Sequence, residues 1–436
     1  MSIWSRAKAM AAKTPGERNR YVDFLRAVSI LMVVTGHWLI VALYYEDGSF
    51  TPGDLLELRP NTQWLTWLFQ VMPIFFIVGG YANAVSLESA RRRSIGYAGW
   101  LVSRLNRLVS PLLVLLVAWA LLAAALHFAG VSGEVLSLAS RAALIPIWFL
   151  AIYTLVVVLA PVTYIAWQRW GFVSFWAFVL VGVAVDIAFF AADQQWLGWT
   201  NYLWVWLSVH HLGYAWRDGR LGTPARLVGY SALGLLALAL LIFVGPYPFA
   251  MVGSPDEALS NTLPPKITLL ALGVAQFGLL LAVEAPMRRV LSGLRIWAAT
   301  VLINSMIMTL YLWHITVMVM LVSLLYLADG FGLGTEPASL DWWLTRPVWI
   351  AVLYACLLPV TLLLGPLERR ARPADATIPS ATRLVAGALL ICLGVAVLAL
   401  FGFGNAPVPG LDIVAFATVV IGAALSGLLP TRNTAR

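Results

Sequence analysis

The stretch VDFLRAVSILMVVTGHWLIVALYY, residues 22–45, decides the fold class, because it is long and apolar enough to cross a lipid bilayer as a helix. Such a helix needs about twenty predominantly apolar residues. Basic residues from Arg6 to Arg20 lead directly into this stretch, without the cleavage pattern of a signal peptide. We therefore expect residues 22–45 to remain in the protein as its first transmembrane span.

The composition of the whole chain agrees with this first span. Of the 436 residues, 61% are apolar and 11% are charged, and the mean hydropathy is +0.86. A soluble enzyme, a nucleic-acid-binding protein and a disordered chain are excluded, because no water-soluble fold hides so much apolar surface. We predict an all-α polytopic membrane protein with about twelve transmembrane helices. The predicted spans are 22–45, 64–86, 108–129, 143–166, 172–192, 200–216, 224–245, 266–285, 299–328, 343–366, 381–403 and 411–429.

The distribution of Lys and Arg orients these spans. If the N-terminus is cytoplasmic, 24 of the 28 basic residues lie on the cytoplasmic side. The four on the other side are Arg59, Arg141, Lys266 and Arg346. Basic residues concentrate in the cytoplasmic loops of membrane proteins. We therefore predict that both termini are cytoplasmic and that the chain crosses the plasma (inner) membrane many times.

The chain divides into four predicted parts. These are an N-terminal tail (1–20), a ten-helix core (21–366), a cytoplasmic connection (367–380) and a two-helix C-terminal element (381–430). The C-terminal element contains almost no polar side chain, whereas chemistry needs polar groups. We predict that the core carries the function and that the last two helices are accessory.

Two ionisable residues of the first span, Arg26 and His37, lie on one face of the predicted helix. Their spacing of eleven residues places His37 roughly 20° beyond three full turns and about 16 Å further along the axis. Asp23 precedes Arg26 by three residues and can pair with it. Ionisable side chains at membrane depth are costly and mark functional sites by default. The alternative is that Arg26 is only an interfacial anchor and His37 a hydrogen-bonded core histidine.

These side-chain types suit a reaction between reactants from the two sides of the membrane. A neutral imidazole accepts a proton near neutral pH, and we place His37 near the middle of the bilayer. The guanidinium group offers donors that match phosphate oxygens, and we place Arg26 near the inner boundary. The two residues therefore suit a phosphate-bearing donor that approaches a buried base from the cytoplasm, with the anchor and core-histidine alternative still open.

Several segments resemble the membrane acyltransferase type 3 family, in the order in which that family has them. Residues 21–37, YVDFLRAVSILMVVTGH, match its first span, with Asp, Arg and His at positions 23, 26 and 37. Residues 73–81, PIFFIVGGY, resemble its "FF-x-x-SG" segment, with Gly79 in place of the usual serine. The other matching segments are SRLNRLVSP (103–111), WFL (148–150) and NSMIMTLYLWH (304–314).

The resemblance implies transfer of an acyl group, most often acetyl, from cytoplasmic acyl-CoA to a hydroxyl group. The implied acceptor is an envelope glycan, a small molecule or a glycolipid such as a trehalose lipid. The expected partners are therefore acyl-CoA as donor substrate, the acceptor and membrane lipids. We expect no nucleic acid, because of the apolar composition, and no metal ion, because the sequence has no metal-ligand spacing. The resemblance leaves the oligomeric state open.

A predicted site follows from the resemblance and from the membrane-depth argument. His37 acts as general base or forms a transient acyl-histidine. The predicted catalytic group is His37, Arg26, Asp23 and His314, of which His314 could also make only a hydrogen bond between packed helices. The predicted acyl-CoA-binding group, whose members other than Arg26 could instead be cytoplasmic anchors, is Arg26, Arg91, Arg92, Arg93, Arg104 and Arg107. The predicted substrate and oxyanion group is Tyr311, Ser305, Trp148 and Asp186, of which Asp186 could also make only structural hydrogen bonds.

Two other classes of protein are compatible with the span count. Twelve helices with both ends inside are also common in secondary transporters of lipids or small molecules. Such transporters usually have two similar halves, and we find no correspondence between residues 1–220 and 221–436. A non-catalytic scaffold is the third class, and it predicts no affinity for acyl-CoA.

Overall fold

The computed structural model describes residues 3–46, 48–253, 259–368, 376–403 and 412–429, and these residues are predominantly helical. A two-stranded antiparallel sheet and a 3-10 turn at Pro60–Thr62 accompany the helices. The helices are α1 (Ile3–Ala12), α2 (Arg20–Ile40), α3 (Leu55–Leu58), α4 (Leu65–Phe69), α5 (Met72–Arg92), α6 (Tyr97–Phe128), α7 (Gly133–Leu144), α8 (Ile147–Trp170), α9 (Phe172–Ala191), α10 (Gln195–Gly198), α11 (Asn201–Arg217), α12 (Pro224–Phe243), α13 (Thr268–Ala282), α14 (Glu284–Val290), α15 (Leu294–Ser305), α16 (Ile307–Leu327), α17 (Leu340–Glu368), α18 (Ala381–Phe401) and α19 (Ile413–Leu425). The strands are β1 (Val41–Glu46) and β2 (Ser49–Asp54).

Many of these helices are long and apolar enough to cross a membrane. Within the described ranges nine helical segments meet this condition, and the bent pair α13 and α14 makes a tenth if it counts as one span. The predicted spans 200–216 and 411–429 correspond to α11, with 17 residues, and α19, with 13. The α-helical, multi-pass class is therefore confirmed. The number twelve and the cytoplasmic position of both termini stay predictions.

The first span is shorter than the sequence indicates. The prediction that residues 22–45 form one helix is wrong at its end, because α2 stops at Ile40 and the chain continues as β1. Strand β1 pairs with β2 in an antiparallel hairpin, with Val41 opposite Asp54 and Glu46 opposite Ser49. β-Branched and aromatic side chains favour the strand, and Gly48 supplies a positive φ of 80° in the turn.

Two other apolar runs are broken into separate helices. The predicted span 299–328 is wrong as one helix, because α15 ends at Ser305 and α16 begins at Ile307. Between α4 and α5 the helix is interrupted at Gln70 and Val71. There the side-chain amide of Gln276 donates to the carbonyl oxygens of Trp67 and Gln70, at 2.8 and 3.2 Å. These bonds satisfy carbonyl groups that the break leaves without helical partners.

The described chain forms two units. Unit 1 comprises Met1–Ser86, Val162–Ile307 and Leu333–Arg346, and unit 2 comprises Leu87–Pro161, Met308–Gly332 and Pro347–Arg436. In unit 2, α18 and α19 cross closely, since a Cβ on Gly387 would lie 2.5 Å from the carbonyl oxygen of Gly422. Leu384 of α18 is buried in the same apolar cluster as Trp100 of α6. The last two helices are thus packed into unit 2. Of the predicted connection 367–380, residues 369–375 lie outside the described part of the chain.

Candidate active site

A hydrogen-bonded network in unit 1 fixes the side chain of Arg26. Its Nη2 donates to Oδ1 of Asp23 at 3.1 Å, and its Nε donates to Oδ1 of Asn304 at 2.7 Å. The Asn304 amide in turn donates to the backbone carbonyls of Asp23 and Thr300, at 2.8 and 2.9 Å. Asp23 is buried, whereas a third of the Arg26 side chain is exposed. The guanidinium is therefore held in one orientation while part of it stays accessible.

Asp23 holds a second arginine, from the segment that precedes α2. Arg18 donates from Nε to Oδ2 at 2.5 Å and from Nη2 to Oδ1 at 3.0 Å. This hydrogen-bonded carboxylate raises the pKa of Arg18 above its ordinary value. Two guanidinium groups thus converge on one carboxylate, so this end of α2 carries a net positive charge suited to an anionic ligand.

His37 lies on the same helix as this network. It is three residues from the end of α2 and not in the middle of the helix, because the helix stops at Ile40. His37 is partly buried. The adjacent Gly36 lies against Phe69, since a Cβ on this glycine would be 3.1 Å from the Phe69 ring. Because α2 is continuous from Arg20 to Ile40, ideal helix geometry puts Arg26 and His37 on one face about 16 Å apart.

Unit 2 contains the predicted residues of the late segment. His314 is fully buried, and its Nδ1 lies 2.6 Å from the carbonyl oxygen of Tyr311. The Tyr311 hydroxyl donates to the carbonyl oxygen of Pro146 at 2.5 Å. A phenol has one proton to donate. To donate to an oxyanion as predicted, the Tyr311 hydroxyl must therefore give up its hydrogen bond to the Pro146 carbonyl.

The remaining predicted substrate residues occupy different environments. Ser305 of unit 1 donates its hydroxyl back to the Leu302 carbonyl at 2.7 Å. Trp148 of unit 2 is partly buried and meets Phe149 edge to face, with the ring centroids 6.3 Å apart. Neither contact by itself assigns a substrate.

Asp186 forms a buried junction in unit 1. Its carboxylate accepts hydrogen bonds from the Asn201 amide at 2.8 Å, the Tyr247 hydroxyl at 3.0 Å and the Ile267 backbone N–H at 2.9 Å. The structure thus gives Asp186 the structural hydrogen bonds that the sequence left as one alternative.

Lys266 is buried nearby, with its ammonium 3.8 Å from the ring centre of Phe189. Burial lowers the pKa of Lys266 to about 8, against the opposing influence of the Asp186 charge.

The predicted acyl-CoA-binding arginines other than Arg26 belong to unit 2. Arg91, Arg92 and Arg93 are exposed at the end of α5. On α6, Arg107 is exposed and Arg104 is partly buried, with its guanidinium 5.9 Å from the ring centre of Trp100. Exposed guanidinium groups are compatible both with phosphate binding and with an anchoring role.

Three polar residues of these networks were missed from the sequence. Asn304 and Arg18 hold the Asp23–Arg26 pair. In unit 2, Glu368 is buried and accepts hydrogen bonds from the Thr309 hydroxyl and the Trp313 indole N–H. A search for amides within apolar runs and for carboxylates just after them would have found Asn304 and Glu368. Among the residues that the structure describes, no group of three His, Cys, Asp or Glu side chains could hold a metal ion.

Comparisons with known proteins relate this chain to one family. The profile of a family described as an acyltransferase domain matches residues 19–366, which is more than half of the chain. The chain is also similar to the nodulation protein NolL of Sinorhizobium fredii (strain NBRC 101917 / NGR234), with 30% identity over 145 residues. That alignment covers 31% of this chain and 34% of the NolL protein, so the match spans about a third of the relative. No solved structure matches the chain.

Proposed function

The chain belongs to the acyltransferase domain family, and we propose that it moves an acyl group, acetyl in the first instance, from acyl-CoA to a hydroxyl group. The proposed acceptor is an envelope glycan or a glycolipid, with a trehalose lipid as one candidate. Membership of the family confirms the resemblance seen in the sequence, and it favours an acyltransferase over the transporter alternative. The proposed enzyme acts in the plasma membrane and takes its donor from the cytoplasm.

One observation carries this proposal, namely the fixed Arg26 guanidinium on the helix that also bears His37. Asp23 and Asn304 hold Arg26 while part of its side chain stays exposed. A pre-oriented guanidinium binds phosphate oxygens without first losing side-chain freedom. A partly accessible histidine about 16 Å along the same helix face offers a base at a distance that an extended pantetheine arm can span.

In the proposed reaction, His37 accepts the proton of the acceptor hydroxyl as its oxygen attacks the thioester carbonyl carbon. The tetrahedral intermediate collapses with cleavage of the carbon–sulfur bond. The departing thiolate takes the proton from the imidazolium, so the products are the ester and free coenzyme A. General-base assistance of this kind contributes about 10²–10⁴-fold to the rate. A transient acyl-histidine is the alternative first step.

The donor phosphates are proposed to bind the positively charged groups around Arg26. Arg18 belongs to the same network through Asp23. The predicted set Arg91, Arg92, Arg93, Arg104 and Arg107, in unit 2, stays a separate proposal for donor binding. Removing a guanidinium that contacts phosphate should weaken donor binding, whereas removing one that only anchors the protein should not.

The test measures acetyl-CoA binding and thioester turnover by the purified protein, with His37→Ala compared against His127→Ala. His127 lies near the end of α6 and is partly buried, so it is a matched histidine outside the proposed site. We expect His37→Ala to retain acetyl-CoA binding and lose turnover, and His127→Ala to retain both. We expect Arg26→Ala to lose saturable binding.

Two results would contradict the proposal. Turnover close to wild type in a folded His37→Ala protein would exclude His37 as base and as nucleophile. Absence of any affinity for acyl-CoA, together with proton-coupled uptake of a substrate into vesicles, would favour a transporter instead.

A further inference from the structure

The N-terminal helix α1 has an apolar arc with basic residues at both edges. At 100° per residue, Met10, Ile3, Ala7, Ala11 and Trp4 fall within an arc of roughly 120°. The basic residues beyond its edges are Arg6, Lys8 and Lys13, the last lying just after the helix. The rest of the circumference carries Ser5, Ala9 and Ala12. An apolar arc bordered by Lys and Arg is typical of a helix that lies in the membrane interface.

The centre of this arc is already covered by another helix. Ala7 and Ala11 are buried, and Ala11 belongs to an apolar cluster with Trp297 and Ala298 of α15. The Trp297 indole N–H donates to the Thr14 hydroxyl at 2.9 Å just after α1 ends. These contacts fix the rotation of α1 about its axis, so the remaining side chains have defined directions.

The edges of the arc are exposed. Ile3, Trp4 and Met10 have 45%, 39% and 47% of their surface accessible, although all three are large apolar side chains. Lys8 lies 5.6 Å from the ring centre of Trp4, so a cation accompanies the aromatic side chain on that edge. Arg6 and Lys13 are exposed beside Ile3 and Met10 on the other edge. Each edge of α1 therefore presents apolar surface next to positive charge.

We propose that α1 binds anionic phospholipid at the membrane surface from which α2 starts. The exposed apolar edges lie in the outer acyl-chain region, and Arg6, Lys8 and Lys13 contact the phosphate groups. Only residues 13–19 separate α1 from α2, which begins at Arg20, so α1 cannot be far from the boundary of the bilayer. Anionic headgroups complement this charge, and each Lys or Arg near such a surface adds to the attraction.

The test uses the full chain in nanodiscs, with Cys356 and Cys392 replaced by alanine and an environment-sensitive fluorophore on a single new cysteine. Met10→Cys places the probe at the apolar edge, and Ala9→Cys places it on the opposite, exposed face. We expect lipids spin-labelled near the headgroup to quench the Met10→Cys probe roughly twofold more than the Ala9→Cys probe. Equal quenching at the two positions would overturn the proposal.

A second comparison tests the preference for anionic lipid. Nanodiscs of phosphatidylcholine alone are compared with nanodiscs that also contain phosphatidylglycerol. We expect phosphatidylglycerol to increase quenching of the Met10→Cys probe, and the double change Arg6→Glu and Lys13→Glu to remove this increase. Thermal unfolding of each variant checks that the protein is folded. If quenching is the same in both lipids, or if charge reversal leaves the increase intact, binding is not specific for anionic lipid and the proposal fails.

Discussion

Asn304 controls the direction of the Arg26 guanidinium, because its amide oxygen accepts from Nε and its amide nitrogen is fixed by two backbone carbonyls. We expect Asn304→Ala to lower kcat/KM for acyl transfer by about 10- to 100-fold, which corresponds to the loss of a hydrogen bond to a charged group. The change should act mainly through weaker acyl-CoA binding, measured by titration with a non-hydrolysable analogue.

Asn61→Ala is the matched control for this prediction, because Asn61 is exposed in the Pro60–Thr62 turn. It should leave both binding and turnover unchanged. If Asn304→Ala binds the analogue as tightly as the wild type and turns over normally, the orientation of Arg26 is not set by this amide.

Lys266 gives a prediction for the dependence of stability on pH. Burial lowers the pKa of Lys266 to about 8 in the folded protein, from the ordinary lysine value of 10.5. Between these values the unfolded chain binds more protons, so the free energy of unfolding should rise as pH increases from about 8 to 10.5. At pH 7 the charged lysine should therefore cost the folded state about 3 kcal/mol.

Thermal unfolding of the detergent-solubilised protein from pH 7 to 10 measures this effect. The comparison is with Lys266→Met, which keeps an unbranched side chain of nearly the same length and removes its charge. The variant should be more stable at pH 7, and the difference from wild type should shrink as pH rises. A difference that stays constant across this range would mean that Lys266 has an ordinary pKa.

The residues most easily found from the sequence were those whose charge is costly in a membrane. Asp23, Arg26 and His37 stand out in an apolar run whatever the fold is. Asn304 does not, because it is neutral and its partner Arg26 lies 278 residues away in the chain. The bonds of Asp186 were similarly hidden, since two of its donors, the Tyr247 hydroxyl and the Ile267 N–H, lie 61 and 81 residues further along the chain.

At the scale of secondary structure, the crossing of α5 and α11 depends on two glycines. A Cβ on Gly80 would lie 2.0 Å from the carbonyl oxygen of His210, and one on Gly213 would lie 2.0 Å from that of Ile77. Backbone atoms cannot move aside as the end of a side chain can. We expect Gly80→Ala to destabilise the protein by about 2 kcal/mol or more, because the two helices must separate.

Gly229→Ala on α12 is the control, since a Cβ there would have no atom within 4 Å. Alanine favours a helix over glycine by roughly 0.5–1 kcal/mol, so this variant should unfold at the same or a slightly higher temperature. A Gly80→Ala protein as stable as Gly229→Ala would contradict the close crossing.

The breaks in the predicted helices could not be inferred from local pattern alone. At the interruption after α4, the side-chain amide of Gln276 from α13 donates to the backbone carbonyl groups of Trp67 and Gln70. The end of α2 at Ile40 coincides with a hairpin whose second strand lies beyond Gly48. At the first break the backbone gains hydrogen bonds from a segment distant in the chain, and at the second from the next strand of a hairpin, whereas hydropathy reports only on the run itself.

For the molecule as a whole, composition was sufficient to predict the class, because 61% apolar residues in long runs leave no soluble alternative. It could not determine which short helices cross the membrane. α11 has 17 residues and extends for about 25 Å, somewhat less than the roughly 30 Å of a hydrocarbon core. Most of its side chains are buried within the protein, so its hydropathy carries little information about lipid contact.

We predict that α11 crosses the membrane, because basic residues closely follow its C-terminal end, as they do at the cytoplasmic ends of transmembrane helices. Arg217, Arg220 and Arg226 flank the short connection to α12. A cysteine at the exposed Thr223 should then react with a membrane-impermeant maleimide only in inverted vesicles. A cysteine at the exposed Gln194, before α11, should react only in right-side-out vesicles, with both native cysteines replaced in each case.

The two positions separate the twelve-span arrangement from one in which α11 stays on one side. If α11 did not cross, Thr223→Cys and Gln194→Cys would react from the same side, and every later connection would change sides. The basic residues between the predicted spans 266–285 and 299–328, Arg288, Arg289 and Arg295, would then face outward, against the positive-inside rule. Labelling of Thr223→Cys and Gln194→Cys from the same side would therefore overturn both the span count and the shared location of the two termini.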